Sequence, residues 1–113
     1  MIWEIELEPE VDEWVQDLSA AEFGSVLVHL ERLGDRGSQL RMPVSRSLGN
    51  GLFELRLDLS RLSWRISYYF AGGRRIVLLT VFHKQRQNER REVERARRAM
   101  HACIAALHTA EED

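Results

Sequence analysis

The sequence predicts an α+β fold in which a small antiparallel sheet carries a helical hairpin near the start of the chain and a single helix at its end. Three observations indicate this class. Two segments with a helical apolar period stand side by side in the first third of the chain. Three apolar or alternating segments separated by short turns follow, and the last segment returns to the helical period. The predicted order is β-α-α-β-β-β-α, and residues 1–113 are interpreted as one domain.

The first 40 residues predict a strand followed by two helices. Residues 2–7 alternate apolar and acidic side chains, which is typical of a strand. Pro9 suits the first turn of a helix. The apolar stripe of that helix is formed by Val11, Trp14, Val15 and Leu18. Ser19 and Glu22 have the spacing of a capping box, which predicts the start of the second helix. Its buried stripe would consist of Phe23, Val26, Leu27, Leu30 and Leu33.

The remaining elements follow a long connection. Residues 35–51 are rich in Gly, Ser and Arg and contain Pro43, so they are interpreted as a functional or poorly ordered loop. Strands are predicted over 52–59, 63–70 and 75–82, and the last of these is apolar enough for a central strand. A final helix runs from about residue 88 to about 108. Its apolar stripe is formed by Val93, Ala96, Met100, Cys103, Ile104 and Leu107.

Two of the predicted strands carry arginines on their polar faces. Alternation places Arg56 on the polar face of one strand, and Arg65 and Tyr69 on the polar face of the next. If the strands are neighbours with matching faces, the two arginines meet beside a tyrosine hydroxyl. Such a group suits a phosphate, because the planar guanidinium binds two oxygens at once. The alternative is a pair of exposed arginines that form ion pairs with Glu54 and Asp58.

Charge is distributed unevenly although the formal net charge is only −2. Residues 1–40 contain ten acidic and two basic side chains, whereas residues 41–98 contain five acidic and fourteen basic ones. A polyanion responds to the local field rather than to the net charge, so the second half could attract nucleic acid. Alternatively, acidic and basic elements pack together and neutralise each other.

Several classes of protein are excluded by composition. No apolar run approaches the roughly 20 residues that span a bilayer, and the first residues lack the pattern of a secretory signal. A single cysteine, Cys103, excludes an internal disulfide framework and fits a reducing compartment. We therefore expect a cytoplasmic protein. No spacing typical of a metal site occurs, and neither a metal nor another cofactor is predicted.

Four segments together resemble the RelE/ParE toxin superfamily, and specifically its HigB-like, phage-derived branch. They are residues 42–56 (MPVSRSLGNGLFELR), 64–70 (WRISYYF), 76–84 (IVLLTVFHK) and 92–97 (EVERAR). The order of predicted elements agrees over the whole chain. One segment departs from the family pattern, which after the last strand is usually rich in lysine and threonine and ends in a proline. Residues 83–89 contain one lysine and no proline.

The resemblance implies a RelE-like fold and the toxin of a type II toxin–antitoxin module. Family members of the RelE and HigB kind cut messenger RNA in the decoding site of a translating ribosome without a metal. The implied partners are a cognate HigA-like helix-turn-helix antitoxin, messenger RNA and the ribosome. The alternatives are a ParE-like inhibitor of DNA gyrase, and a non-catalytic RNA-binding or interaction domain on the same fold.

Metal-free RNA cleavage requires a base for the 2′-hydroxyl proton, an acid for the leaving 5′-oxygen, and cations that stabilise the developing charge. The candidate catalytic residues are Arg56, Arg65, His83, Lys84 and Arg86. His83 would donate or accept a proton in the cleavage reaction. Alternatively, His83 is only a hydrogen-bonded residue at the end of a strand. The candidate RNA-binding residues are Arg46, Tyr69, Arg90, Arg91, Arg95 and Arg98. Tyr69 could instead be a cross-strand aromatic, and the helical arginines could form a solvated face interlaced with glutamates.

Overall fold

The computed structural model describes residues 2–112, with side chains from 2 to 106, and forms one sheet with helices on both faces. The side chain of Leu107 therefore lies outside the described residues. The elements are β1 (Glu4–Leu7), α1 (Pro9–Gln16), α2 (Ala20–Arg36), a 3₁₀ turn (Gly37–Gln39), β2 (Ser45–Gly49), β3 (Leu52–Leu59), β4 (Leu62–Ala71), β5 (Arg75–His83) and α3 (Glu89–Glu112). The strand order is β1-β5-β4-β3-β2, with β1 parallel to β5 and every other pair antiparallel. The α+β class is confirmed. Within the described residues, no helix is long and apolar enough to cross a bilayer.

The structure adds one strand to the predicted order. β2 pairs antiparallel with β3 in the region that the sequence indicated was part of a loop. Positive φ angles at Gly49, Asn50 and Gly51 form the tight turn between the two strands. β2 is a short edge strand of mainly serine and arginine, so it lacks the apolar alternation by which strands are recognised in a sequence.

The helical hairpin packs on one face of the sheet, which we call the hairpin face. The buried residues of this layer are Val11, Val26, Leu33, Leu55, Leu57, Leu59, Ile66, Tyr68, Ile76 and Leu78. The predicted capping box is confirmed, since Ser19 Oγ accepts from the Glu22 amide at 3.2 Å and Glu22 Oε1 accepts from the Ser19 amide at 3.0 Å. The predicted stripe of α2 is only partly buried, because Phe23 and Leu27 remain 43% and 40% exposed.

Helix α3 packs on the opposite face of the sheet, which we call the α3 face. Its apolar layer consists of Leu52, Tyr69, Val77, Leu79, Ala96 and Met100. The polar side chains of the same face, including Arg56 and Arg65, lie further along β3 and β4 and do not belong to this layer. The α3 face therefore has an apolar part that the helix covers and a polar part beside it.

A bulge in β5 changes which side chains reach the α3 face. Ser67 of β4 pairs with Thr80, but the next residue, Tyr68, pairs with Leu78, so Leu79 is the extra residue. A shift of one residue reverses the face of every side chain beyond it. Phe82 therefore shares the α3 face with Arg65, and His83 lies on the hairpin face.

Gly37 follows α2 with a φ of +51°, and a Cβ placed there would lie 2.1 Å from Nε1 of Trp3. We expect Gly37→Ala to destabilise the fold by about 1–3 kcal/mol, because both the backbone conformation and the indole oppose a side chain. Gly24→Ala is the matched control: it lies in α2 with nothing within 4 Å of a Cβ and should stabilise the helix by about 0.5–1 kcal/mol. Urea denaturation measures both changes, and equal effects would contradict the packing of Trp3 on this turn.

Candidate functional site

Arg56 and Arg65 are direct cross-strand partners, which confirms that the two polar faces match. We call these residues the arginine pair. Like charges placed directly opposite each other destabilise a sheet by up to about 1 kcal/mol. An arrangement that costs stability in the free protein is typical of a functional site that binds a counter-charge.

Glu54 lies next to the arginine pair on the same face and is only 3% exposed. Its Oε2 lies 3.5 Å from Nε of Arg65, whose side chain is 11% exposed. Within the described residues, Glu54 Oε2 and the Nε atoms of both arginines are buried without a hydrogen-bond partner. Buried polar atoms normally have such a partner, so these three mark a site with unused hydrogen-bonding capacity. The alternative, exposed arginines ion-paired with Glu54 and Asp58, holds in part: Arg65 does pair with Glu54, but both side chains are largely buried.

Burial dominates the electrostatics of the cluster. It raises the pKa of the Glu54 carboxyl above its ordinary value, and the opposing attraction of Arg65 and Arg56 is smaller. Burial also lowers the pKa of Arg65, and repulsion from Arg56 acts in the same direction against the attraction of Glu54. Both partners of this ion pair are therefore less stable in their charged forms than they would be in water. An anion that reached the arginines would supply the missing counter-charge.

An open cleft of about 390 Å³ lies beside the arginine pair and is lined by Pro43, Val44, Arg56, Leu57, Asp58, Ser63 and Arg65. We call it the arginine cleft. Asp58 is the carboxylate of this lining, and it accepts a hydrogen bond from Ser63 Oγ at 2.9 Å. The sequence placed Asp58 on the same face as Arg56 but suggested only ion pairing for it. Among the side chains of residues 2–106, no cluster of three or more His, Cys, Asp or Glu residues could hold a metal ion.

Two further predicted residues lie on the same face as the arginine pair. Arg46 of β2 is the cross-strand partner of Glu54. Lys84 continues β5, with its amide donating to the Ser63 carbonyl at 2.7 Å. Glu89 at the start of α3 lies between them, 3.4 Å from Arg46 Nη1 and 3.6 Å from Lys84 Nζ. The structure therefore brings Arg46, Arg56, Arg65 and Lys84 to one polar surface.

Three predicted residues lie apart from the arginine pair. His83 is on the hairpin face, with its ring centroid 5.6 Å from that of Trp64, so the structure does not bring it to the arginine pair. Tyr69 is 5% exposed beneath α3 and donates to Cys103 Sγ at 3.2 Å, which corrects its prediction as an RNA contact. Burial raises the pKa of this tyrosine. Arg86 lies exposed in the connection before α3.

The predicted arginines of α3 divide into two groups. Arg90, Arg91 and Arg98 are exposed, and Arg90 pairs with Glu94 at 3.5 Å. Arg95 instead bonds to Glu10 of α1, to Glu92 and to the carbonyl of Val81. The hydrogen bonds that Arg95 donates to Glu10 and Glu92 raise the pKa of its guanidinium. Arg95 therefore pairs with two carboxylates and joins α3 to α1 and β5, and its contact with RNA stays a prediction.

We expect Arg95→Ala to lower the melting temperature by about 2–6 °C. The variant loses several hydrogen bonds of a partly exposed guanidinium, and a decrease of roughly 1 kcal/mol in the free energy of unfolding produces a shift of that size. Arg98→Ala removes the same charge from an exposed position of α3 and should leave the melting temperature unchanged. Thermal unfolding followed by circular dichroism measures both variants. An unchanged melting temperature for Arg95→Ala would contradict its role in holding the helix.

The fold and the open polar surface define a class of small α+β proteins with a RelE-like fold. E. coli RelE in the intact RelBE toxin–antitoxin complex superposes with a TM-score of 0.58 at 12% identity, over 74% of this chain and 99% of that chain. The isolated E. coli RelE toxin gives a TM-score of 0.56 at 10% identity, over 82% and 96% of the two chains. A mutant of the same toxin in the free state gives 0.54 at 11% identity, over 72% and 82%.

The chain belongs to the family described as phage derived protein Gp49-like, whose match covers residues 13–101. This confirms the resemblance to the phage-derived branch of the RelE superfamily. No curated protein matches the chain. The family match includes the arginine pair, the arginine cleft and the start of α3.

Proposed function

We propose that the whole chain is the toxin of a type II toxin–antitoxin module and cleaves messenger RNA on the ribosome in the cytoplasm. The observation that carries this proposal is the arginine pair: two like charges held opposite each other, partly buried, each with an Nε atom that has no hydrogen-bond partner among the described residues. Family membership and the RelE-like fold support the same interpretation. A phosphate group of RNA matches the charge and the planar donors of the two guanidinium groups.

The proposed cleavage uses side chains of the arginine cleft and its rim. The 2′-hydroxyl attacks the adjacent phosphorus and gives its proton to the carboxylate of Asp58, while the P–O5′ bond breaks. The leaving 5′-oxygen takes a proton from the ammonium group of Lys84, and a 2′,3′-cyclic phosphate remains. Arg56 and Arg65 bind the nonbridging oxygens and stabilise the charge that develops on them. Arg86 and the exposed arginines of α3, Arg90, Arg91 and Arg98, add positive potential for the RNA backbone.

A cognate antitoxin is the proposed partner that keeps the chain inactive. The structure of E. coli RelE in a toxin–antitoxin complex, which shares this fold, supports such a partner. A HigA-like helix-turn-helix protein encoded beside this chain would fit the phage-derived family. Copurification of the product of the neighbouring reading frame with this chain tests that part of the proposal.

Induced expression followed by mapping of messenger-RNA 5′ ends tests the reaction. We expect growth arrest and new ends within translated regions, and a supercoiling assay on gyrase in parallel should show no inhibition. In a reconstituted system, programmed ribosomes and the same RNA without ribosomes show whether cleavage depends on translation. Intact transcripts together with blocked gyrase would replace the nuclease with a ParE-like inhibitor. Binding to RNA without either effect would indicate a non-catalytic domain.

A further inference from the structure

A second concave surface lies next to the arginine cleft and has no role in the reaction described above. It has a volume of about 440 Å³ and is formed by the end of α2 and the connection that leads to β2. Its basic side chains are Arg32, Arg36 and Arg41, all of which are exposed. We call this surface the basic groove.

The charge of the basic groove is opposite to that of residues 1–40, which supply half of its lining residues. Residues 1–40 contain ten acidic side chains and only two basic ones, Arg32 and Arg36. Both line the basic groove, and no carboxylate is among its lining residues. Within the described residues, no ion pair joins any of its three arginines to an acidic side chain. The groove is therefore a concentrated positive site in an otherwise acidic half of the chain.

Helix stability does not explain this cluster. Arg36 lies in the last turn of α2, where a cation interacts favourably with the helix dipole. Arg32 lies a full turn earlier, where that interaction has faded, and like charges spaced four residues apart repel. Arg41 is outside the helix altogether. A ligand that carries several negative charges accounts for all three positions.

The basic groove and the arginine cleft share a wall. Pro43 and Val44 line both of them. Two contacts tie this wall to the arginine pair: the amide of Arg56 donates to the Val44 carbonyl at 2.8 Å, and Nη1 of Arg56 lies 3.9 Å from Sδ of Met42. A strand that leaves the arginine cleft across this wall enters the basic groove next.

We propose that the basic groove is a second RNA-phosphate site, which binds the single strand that flanks the phosphate held by the arginine pair. This inference rests on the proposed function, because it takes RNA as the ligand of the arginine cleft. The groove has no aromatic side chain on which a base could stack, so it binds the backbone and carries no preference for sequence.

Binding of 2′-O-methyl oligonucleotides tests the inference without any need for cleavage, since the methyl group blocks attack by the 2′-oxygen. A three-nucleotide probe fits the arginine cleft alone, and a nine-nucleotide probe extends beyond it. The triple variant Arg32→Gln/Arg36→Gln/Arg41→Gln should bind the nine-nucleotide probe about tenfold more weakly than the wild-type chain. Three lost phosphate contacts should make the negative slope of log K against log salt shallower by about 2. The affinity for the three-nucleotide probe should be unchanged.

Arg74→Gln is the matched control, because it removes an exposed charge from the β4–β5 turn at the other end of these strands. It should bind both probes as the wild-type chain does. Equal affinity of the triple variant and the wild-type chain for the nine-nucleotide probe would overturn the inference. Failure of the proposed function appears separately, as intact transcripts in cells that express the wild-type chain.

Discussion

Arg65→Ala is expected to abolish growth arrest and to slow RNA cleavage by about 10²–10³-fold, the usual cost of one donor that stabilises a developing oxyanion. Arg65 contributes a fixed guanidinium: its side chain is 11% exposed, and its Nη1 donates to the Trp64 carbonyl at 3.1 Å. Alanine removes the fork that binds two phosphate oxygens. The variant should still fold, because Glu54 retains Arg46 and Arg56 as neighbouring positive charges.

Two further variants sharpen this prediction. Arg65→Lys keeps the positive charge but loses the planar fork, so we expect activity between that of the wild-type chain and that of Arg65→Ala. Arg74→Gln removes an exposed charge elsewhere and should remain fully toxic. Growth after induction and the cleavage rate on programmed ribosomes are the measurements, with melting temperatures as the check on folding. Full toxicity of both Arg65→Ala and Arg56→Ala would place the site elsewhere.

The arginine pair could be predicted because strand geometry is local. A period of two fixes the face of each side chain, and two strands joined by a tight turn must be neighbours. The pairing of Arg56 with Arg65 follows from a register centred on the turn at Ser60 and Arg61, both of which have positive φ. Neither burial nor the unpartnered nitrogens follow from alternation, because they depend on what packs around the strands.

The position of His83 could not be predicted because it depends on one inserted residue. Without the bulge at Leu79, Val77 and His83 would lie on the same face of β5, and the histidine would reach the arginine surface. The sequence of β5 is nearly uniform in apolar character, so alternation gives no sign of where the period is interrupted. A hydroxyl pair marks the bulge in the structure, since Ser67 and Thr80 bond to each other there.

The edge strand β2 and the basic groove were missed for a shared reason. β2 and every lining residue of the basic groove except Arg32 lie within residues 35–51, where polar and glycine-rich sequence indicated an irregular connection. Tertiary contacts order this segment: β3 pairs with β2, and Ser45 Oγ bonds to the Tyr68 hydroxyl. Long-range pairing of this kind leaves little trace in local sequence.

Glu54→Gln is expected to reduce the cleavage rate by about 10- to 100-fold although both arginines are retained, because a displacement of about 1 Å in a positioned group costs rates of this order. Glu54 is a positioning residue: it lies 3.5 Å from Arg65 Nε and does not line the arginine cleft. Glutamine keeps the shape of the side chain but removes the negative charge that offsets the mutual repulsion of Arg56 and Arg65. Cleavage rates and Kd values for the three-nucleotide probe, each measured from about pH 5 to 8, separate loss of positioning from loss of phosphate binding. A loss of activity in His83→Ala as large as that in Glu54→Gln would return the central role to the histidine.

The stability of Glu54→Gln relative to the wild-type chain should depend on pH in a defined direction. Burial raises the pKa of Glu54 above its ordinary value of 4.5, so between these two values the folded chain keeps a proton that the unfolded chain has released. The free energy of unfolding therefore falls as the pH rises through this window, and the loss is complete above the raised pKa. Glutamine does not titrate, so the melting temperature of Glu54→Gln relative to the wild-type chain should be higher at pH 7 than at pH 4. If the difference in melting temperature between Glu54→Gln and the wild-type chain were the same at pH 4 and pH 7, burial would not affect the ionisation of Glu54. The proposal that a phosphate supplies missing counter-charge to a buried cluster would then be contradicted.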